Sequence, residues 1–212
     1  MAVVADGARH AAPQARRFRR LTTTVRAFVA IRLPEDVRRA LAASVEPLRA
    51  VANDVAWVGL DSFHLTLKFL GPVDTDRVPA VTEALMNVAG ACPSFHLGIR
   101  GLGAFPSPAR PRVFWAGIDA GAAPAAALAA RVDEGLEALG FKREARAFSP
   151  HVTLGRVRQP HAQPRLAEAL VSTMSYGRVE VASISLMRSD LSPRGARYTE
   201  LAAAPLARPA AG

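Results

Sequence analysis

Two short segments carry the same pair of polar side chains in the same alternating pattern. HLTL (64–67) and HVTL (151–154) each place a histidine and a threonine two residues apart, with apolar residues after each of them. Residues two apart lie on one face of a β-strand, so each segment presents an imidazole and a hydroxyl together. A single His-x-Thr is typical of a solvated strand face. The repetition of the pattern indicates a site.

These residue types suit acid–base chemistry on a phosphate ester. An imidazole titrates near neutral pH, so of His64 and His151 one can accept a proton while the other donates one. The hydroxyls of Thr66 and Thr153 can donate hydrogen bonds to phosphoryl oxygens, where negative charge develops during reaction. No metal ion and no other cofactor is expected, because no thiols or carboxylates accompany the histidines at ligand spacing.

The elements that must hold the two motifs recur in the same order. Aligning Phe28 with Phe114 places His64 36 residues later in the first half and His151 37 residues later in the second. We therefore expect an α+β fold of two pseudo-symmetric lobes, with antiparallel sheets flanked by helices around a central groove. The apolar spacing predicts strands at 25–33, 63–70 (ending at Gly71-Pro72), 95–102, 112–120, 148–157, 179–189 and 196–202, and helices from Glu35 to near Pro47, from Val78 to Gly90, from about Leu128 to Gly140 and at 164–174.

Composition indicates the class of protein, its compartment and the kind of partner it binds. Half of the 212 residues are hydrophobic and only one is cysteine, so we expect a globular, monomeric chain without disulfides, in a reducing cytoplasm. No apolar run reaches the roughly 18 residues that would span a membrane. The net charge of +9 favours an anionic partner such as nucleic acid. Five arginines against one aspartate in residues 1–24 predict a disordered basic tail, ahead of a domain at 25–206 and a frayed end at 207–212.

Longer segments around the motifs resemble a known family. RAFVAIRLP, FHLTLKFLG, RVFWAGI, FSPHVTLGR and SLMRSDLSPRGARYTEL are similar to the RNA 2′,3′-cyclic phosphodiesterases, also called LigT-like or 2′-5′ RNA ligase-like proteins, of the 2H phosphoesterase superfamily. The resemblance implies hydrolysis of RNA or nucleotide 2′,3′-cyclic phosphate ends to 2′-phosphates. It also implies a reverse reaction that joins RNA ends through a 2′-5′ linkage.

The resemblance also implies roles for individual residues. His64 would be the proton donor to the leaving 3′ oxygen, and His151 the proton acceptor that activates water. Thr66 and Thr153 would bind the phosphoryl oxygens. Arg156 matches a position that is often basic, although simple alternation from His151 turns it away from the groove unless a bulge at Gly155 re-aims it.

Other residues leave alternatives open. Lys68 shares the face of His64 by alternation and is expected either in the site or as an exposed edge lysine. Trp57 and Trp115 could stack on a base, but both flank apolar runs and are expected in the core. Arg194 and Arg197 are expected on a loop, either at RNA phosphates or in water, with water favoured, and His96 on a polar strand face without a partner motif. A small-molecule cyclic phosphodiesterase and a non-catalytic RNA-binding module remain the competing functions.

Overall fold

The computed structural model describes residues 23–159, 172–192 and 195–208. Most of the predicted N-terminal tail, most of the helix predicted at 164–174 and Arg194 lie outside these ranges. The described residues form strands β1 (Thr24–Arg32), β2 (Val55–Trp57), β3 (His64–Asp74), β4 (Phe95–Phe105), β5 (Val113–Ala120), β6 (His151–Val157), β7 (Ser175–Val181), β8 (Ser183–Ser192) and β9 (Gly195–Pro205), and helices α1 (Glu35–Val51), α2 (Val78–Gly90) and α3 (Ala122–Gly135).

The strands form one antiparallel sheet built from two halves. Its order is β7-β4-β5-β6-β3-β1-β8-β9, with β2 paired to β6 beside this path. The halves meet where β3 pairs with β6, and the register there is Leu65 opposite Val152. The predicted α+β class with antiparallel strands is confirmed, with the two halves joined edge to edge in a continuous sheet.

The helices cover the face of the sheet opposite the two motifs. The stripe Val37, Leu41, Val45 and Leu48 of α1 is buried as its spacing predicts, and α1 packs against β7. α2 packs against α3, β8 and β9, and α3 also contacts β3. No helix among the described residues is long and apolar enough to cross a membrane.

Several predicted boundaries are wrong. α1 continues past Pro47 to Val51. β3 continues past Gly71-Pro72 to Asp74, because Gly71 adopts a left-handed φ of 71° at an irregularity in the β1 pairing and the ladder then resumes. The strand predicted at 179–189 is two strands, since β7 ends at Val181 and β8 begins at Ser183. β2 had no counterpart in the prediction, and its three residues are too few to show a period.

The C-terminal residues extend the ordered chain. Ala202 to Pro205 belong to β9 and pair with β8. Ala207 donates a backbone hydrogen bond to the Cys92 carbonyl and accepts one from the Ser94 amide. Residue 207, placed at the start of the predicted frayed end, is therefore held to the rest of the fold.

A one-residue bulge interrupts both motif strands at equivalent places. In β3, Thr66 pairs with Ala30 but Lys68 pairs with Val29, so Leu67 is extra. In β6, Thr153 pairs with Trp115 but Gly155 pairs with Phe114, so Leu154 is extra. A bulge reverses the alternation that follows it. Lys68 and Gly155 consequently lie on the core face, while Phe69 and Arg156 are exposed.

The bulge turns Lys68 into the interior, so neither position expected for it is correct. Only 3% of Lys68 is exposed, and its ammonium donates hydrogen bonds to the Asp133 carboxylate and to the Lys142 carbonyl. Asp133 also accepts the backbone N–H of Glu144 at 3.0 Å. Burial by itself would raise the pKa of Asp133, but the hydrogen bonds from Lys68 and from the Glu144 N–H hold the pKa below its ordinary value. The pair ties β3 to α3 and to the segment that leads into β6.

We predict that Lys68→Met lowers the free energy of unfolding by about 3–5 kcal/mol, because it leaves a buried carboxylate without its cation. The Lys68→Met/Asp133→Leu double variant should recover most of that loss, since it removes both charges together. Urea unfolding at pH 7 measures both effects.

Arg39→Met is the matched control, because it breaks the exposed Arg39–Glu35 ion pair, in which both side chains are more than 60% exposed. That variant should change stability by less than about 1 kcal/mol. Equal losses for Lys68→Met and Arg39→Met would contradict a structural role for the buried pair.

Candidate active site

His64 lies at the first position of β3 with one ring nitrogen fixed by the backbone. Its Nδ1 is 2.7 Å from the Ser62 carbonyl oxygen, which can only accept, so Nδ1 carries a proton. Nε2 is then the nitrogen that titrates, and it lies 3.1 Å from Thr66 Oγ1. The ring packs 4.8 Å from Phe28 and 5.1 Å from the edge-on ring of Tyr198.

His151 begins β6 with the same arrangement. Its Nδ1 donates to the Ser149 carbonyl oxygen at 2.7 Å, again two residues earlier in the chain. The Phe105 ring lies edge-on at 5.1 Å. Both imidazoles thus leave Nε2 as the atom available for proton transfer.

The single β3–β6 pairing brings the two motifs together. With Leu65 opposite Val152, continuing the antiparallel register by one residue places His64 opposite Thr153 and Thr66 opposite His151. The histidines are therefore diagonal neighbours on one face, a spacing of about 7–8 Å. Two imidazoles at that spacing can approach one small group from different sides.

A cavity of about 620 Å³ opens above this face. His64, Thr66 and Thr153 lie in it, and Arg156 joins them because of the bulge in β6. His151 is not among the lining residues; it lies two residues before Thr153, on the same face of β6. The remaining lining residues are Arg26, Ala27, Phe28, Ala56, Trp57, Val58, Gly59, Ser62, Phe69, Gly71, Ser189, Leu191, Gly195, Ala196 and Tyr198.

The surroundings make both imidazoles harder to protonate. Burial lowers the pKa of His64 below its ordinary value, the hydrogen bond to Ser62 opposes this, and the charges of Arg156 and His151 lower it further. Burial and then the Arg156 charge likewise lower the pKa of His151, against the opposing bond to Ser149. Arg156 is thus close enough to act on both histidines, so a cation already faces the place where an anionic group would sit.

The internal alignment that predicted the repeat is wrong by one residue. Phe114 pairs with Gly155. Lys68, which follows the bulge in β3 as Gly155 follows the bulge in β6, pairs with Val29, so Phe114 corresponds to Val29. Phe114 is fully buried and stacks on Trp57 at 5.7 Å, whereas Phe28 lies on the motif face against His64. Aligning the two halves by residue identity therefore matched two phenylalanines whose side chains point to opposite faces of the sheet.

Several site residues carried no signal of their own in the sequence. Phe28 and Tyr198 contact His64, and Trp57, expected in the core, lines the cavity while stacking on Phe114. Burial raises the pKa of the Tyr198 hydroxyl, with the charges of Arg156 and Arg26 opposing. Trp115, also expected in the core, is half-buried instead: it pairs with Thr153 on the motif face of the sheet, packs on Phe105 and lies over Gly103.

Other candidates lie elsewhere. His96 is exposed on β4, where it pairs with Glu180 of β7. Arg197 is not among the lining residues, and its neighbours Ala196 and Tyr198 line the cavity in its place. Within the described ranges, no three His, Cys, Asp or Glu side chains gather as a metal site would require.

Comparison with known proteins gives a family match and similar solved structures. Residues 34–193 match the model of the 2′-5′ RNA ligase superfamily. A Methanothermobacter thermautotrophicus protein named RNA 2′,3′-cyclic phosphodiesterase is 32% identical over 179 residues, which cover 84% of this chain and 96% of that protein. The structure of TT0787 of Thermus thermophilus has a TM-score of 0.69 and 31% identity, covering 85% of this chain and 97% of that one. The structure of E. coli LigT complexed with 3′-AMP has a TM-score of 0.68 and 26% identity, covering 87% of this chain and 99% of that one.

Replacing Arg156 by glutamine should raise the pKa of both His64 and His151, because it removes a positive charge that disfavours the imidazolium ions. NMR titration of the histidine Cε1–H signals measures this directly. Arg178→Gln, which removes an exposed arginine from the outer strand β7, is the matched control and should leave both titrations in place. Unchanged midpoints in Arg156→Gln would contradict the electrostatic coupling.

Proposed function

Because the chain belongs to the 2′-5′ RNA ligase superfamily, we propose that it is a hydrolase that opens the 2′,3′-cyclic phosphate ends of RNA to 2′-phosphates by two-histidine catalysis. The observation that carries this proposal is the pair of imidazoles with backbone-fixed Nδ1–H groups, set diagonally across the β3–β6 pairing. Two threonine hydroxyls and an arginine lie between and beside them in the same groove.

The proposed step exchanges one bond at phosphorus for another. His151 Nε2 takes a proton from water as the water oxygen attacks the phosphorus in line with the 3′ oxygen. The bond from phosphorus to the 3′ oxygen breaks, and His64 Nε2 gives its proton to that oxygen. The products are a 3′-hydroxyl and a 2′-phosphate, with one proton gained by His151 and one lost by His64.

The remaining polar groups are assigned to the non-bridging oxygens. Thr66 and Thr153 lie opposite the histidines, so their hydroxyls can donate to oxygens that gain charge as water attacks. Arg156 supplies a positive charge for the same oxygens and lies on the groove face of β6. The reverse direction, in which a 5′-hydroxyl replaces water and forms a 2′-5′ linkage, would use the same groups. Water is far more abundant, so hydrolysis is the expected direction.

An assay with an oligonucleotide ending in a 2′,3′-cyclic phosphate, in excess EDTA, tests this function. We expect a 2′-phosphate product and a fall in kcat of about 100-fold or more for both His64→Ala and His151→Ala. His96→Ala, at an exposed site on β4, is the control and should retain full turnover.

Each alternative has its own result in that assay. No turnover by the wild type would leave an RNA-binding module, and dependence on added metal would overturn the two-histidine mechanism. A 3′-phosphate product would reverse the roles of His64 and His151. Preference for mononucleotide cyclic phosphates would instead identify a small-molecule phosphodiesterase.

The pH profile tests the proton roles separately. One imidazole must be neutral and the other protonated, so kcat/KM should follow a bell centred midway between the two pKa values of the free protein. Both values are lowered, so the maximum should lie below the ordinary imidazole pKa of about 6.5. The maximum of kcat should lie at higher pH, since the bound phosphate anion favours both imidazolium ions. A kcat/KM maximum above about pH 7 would contradict this account.

A further inference from the structure

Arg26 is a cation of the groove to which the proposed hydrolysis assigns no role. It is exposed on β1 and lines the cavity above the two motifs together with Arg156. In the part of the chain that the structure describes, no aspartate or glutamate lines this cavity, and no hydrogen bond or ion pair holds the Arg26 side chain. Two cations without a balancing carboxylate favour a ligand that carries more than one negative charge.

The strand order places Arg26 on one particular side of the histidines. Arg26 and Phe28 point to the motif face, because Ala27 between them is buried in the core. The Phe28 ring lies 4.8 Å from His64, and Arg26 lies about 7 Å further along the strand. Since β1 adjoins β3 on the side away from β6, Arg26 lies beyond His64 as seen from His151.

The direction of the proposed reaction turns the nucleotide toward this side. Water enters from His151 on β6, and the 3′ oxygen leaves toward His64 on β3. In-line attack therefore puts the ribose on the His64 side of the phosphorus, over β3 and β1. The chain that continues from the 5′ position of that ribose leads away from β6, toward Arg26.

A second cavity, of about 410 Å³, continues the groove at this point. Arg26 and Ser189 line both cavities, so the two spaces adjoin at these residues. Arg188 also lines the second cavity, but its guanidinium donates to the Asp190 carboxylate at 2.7 and 2.8 Å. Arg26 is thus the arginine at this junction whose charge is available to a ligand.

We propose that Arg26 binds the phosphate that joins the terminal nucleotide to the nucleotide before it, with the Ser189 hydroxyl as a second donor. The proposal rests on the proposed function and makes Arg26 a residue that determines specificity. A nucleoside 2′,3′-cyclic phosphate lacks this second phosphate, so Arg26 favours RNA ends over single nucleosides. A guanidinium that donates to phosphate oxygens contacts no base edge, so the preference is independent of sequence.

A dinucleotide ending in a 2′,3′-cyclic phosphate, made with either a phosphodiester or a neutral methylphosphonate linkage, tests the contact. Wild type should give a kcat/KM about 10-fold higher for the charged linkage, and Arg26→Gln should reduce this ratio to less than about 2. Arg178→Gln removes the same charge from the exposed outer strand β7 and should keep the wild-type ratio.

Three results of this comparison would overturn the proposal. The first is a wild type that uses both linkages equally, and the second is an Arg26→Gln variant that keeps the wild-type ratio. The third is an equal loss in Arg178→Gln, which would assign the preference to the overall positive field of the chain.

The salt dependence of a longer oligonucleotide gives a second measurement of the same contact. Each phosphate contact on a single strand contributes about 0.7 to the slope of log affinity against log salt concentration, so the slope for kcat/KM should become shallower by about that amount in Arg26→Gln. A slope equal to that of wild type would contradict a phosphate contact at Arg26.

Binding of the 2′-phosphorylated dinucleotide product, measured by isothermal titration calorimetry with each linkage, separates this subsite from the reaction. An inactive wild type would refute the proposed hydrolysis, yet an affinity that is about 10-fold higher for the charged linkage and loses this difference in Arg26→Gln would still support the subsite. Equal wild-type affinities for the two linkages would refute the subsite even in an active enzyme.

Discussion

The pairing of Leu65 with Val152 is the constraint on which the site depends. It is the only residue pair that joins β3 to β6 in the described register, and both side chains are fully buried between the sheet and its helices. Because strand side chains alternate, a slip of one residue on either side would turn a histidine and a threonine into the core. The free energy of burying two aliphatic residues therefore also fixes the positions of four polar groups on the opposite face.

The periodic parts of this arrangement could be predicted, and its irregular parts could not. Alternating residues in HLTL and HVTL identified the strands, the shared face and the proposed acid–base residues, because the extra residue of each bulge, Leu67 or Leu154, comes after the histidine and the threonine. Beyond the bulge the alternation reverses, which placed Lys68 incorrectly and left Phe69 unnoticed. In β6, Gly155 indicated a bulge, whereas β3 has Lys68 at the equivalent position and gave no such indication. Phe28 and Tyr198 reach His64 through long-range strand pairing, which no local pattern records.

The electrostatics of the groove and the binding of an anion are coupled. Burial and Arg156 together disfavour the charged form of both histidines. A bound phosphodiester adds a negative charge among the same groups and reverses part of that effect. The groove thus favours neutral histidines by itself and a protonated histidine once an anion lies beside it, so charging of the proposed acid is linked to occupancy of the site.

In the proposed reaction, the hydrogen bonds from Nδ1 to Ser62 and Ser149 also govern how the site returns to its starting state. A turnover that moves one proton onto one Nε2 and another off the opposite Nε2 leaves the two rings with exchanged protonation. Neither ring can pass a proton through to its far side, since both Nδ1 atoms are committed to carbonyl groups. Resetting must then occur through the groove itself, by water or buffer that reaches both Nε2 atoms once product has left. Proton exchange with solvent and release of product therefore share one route.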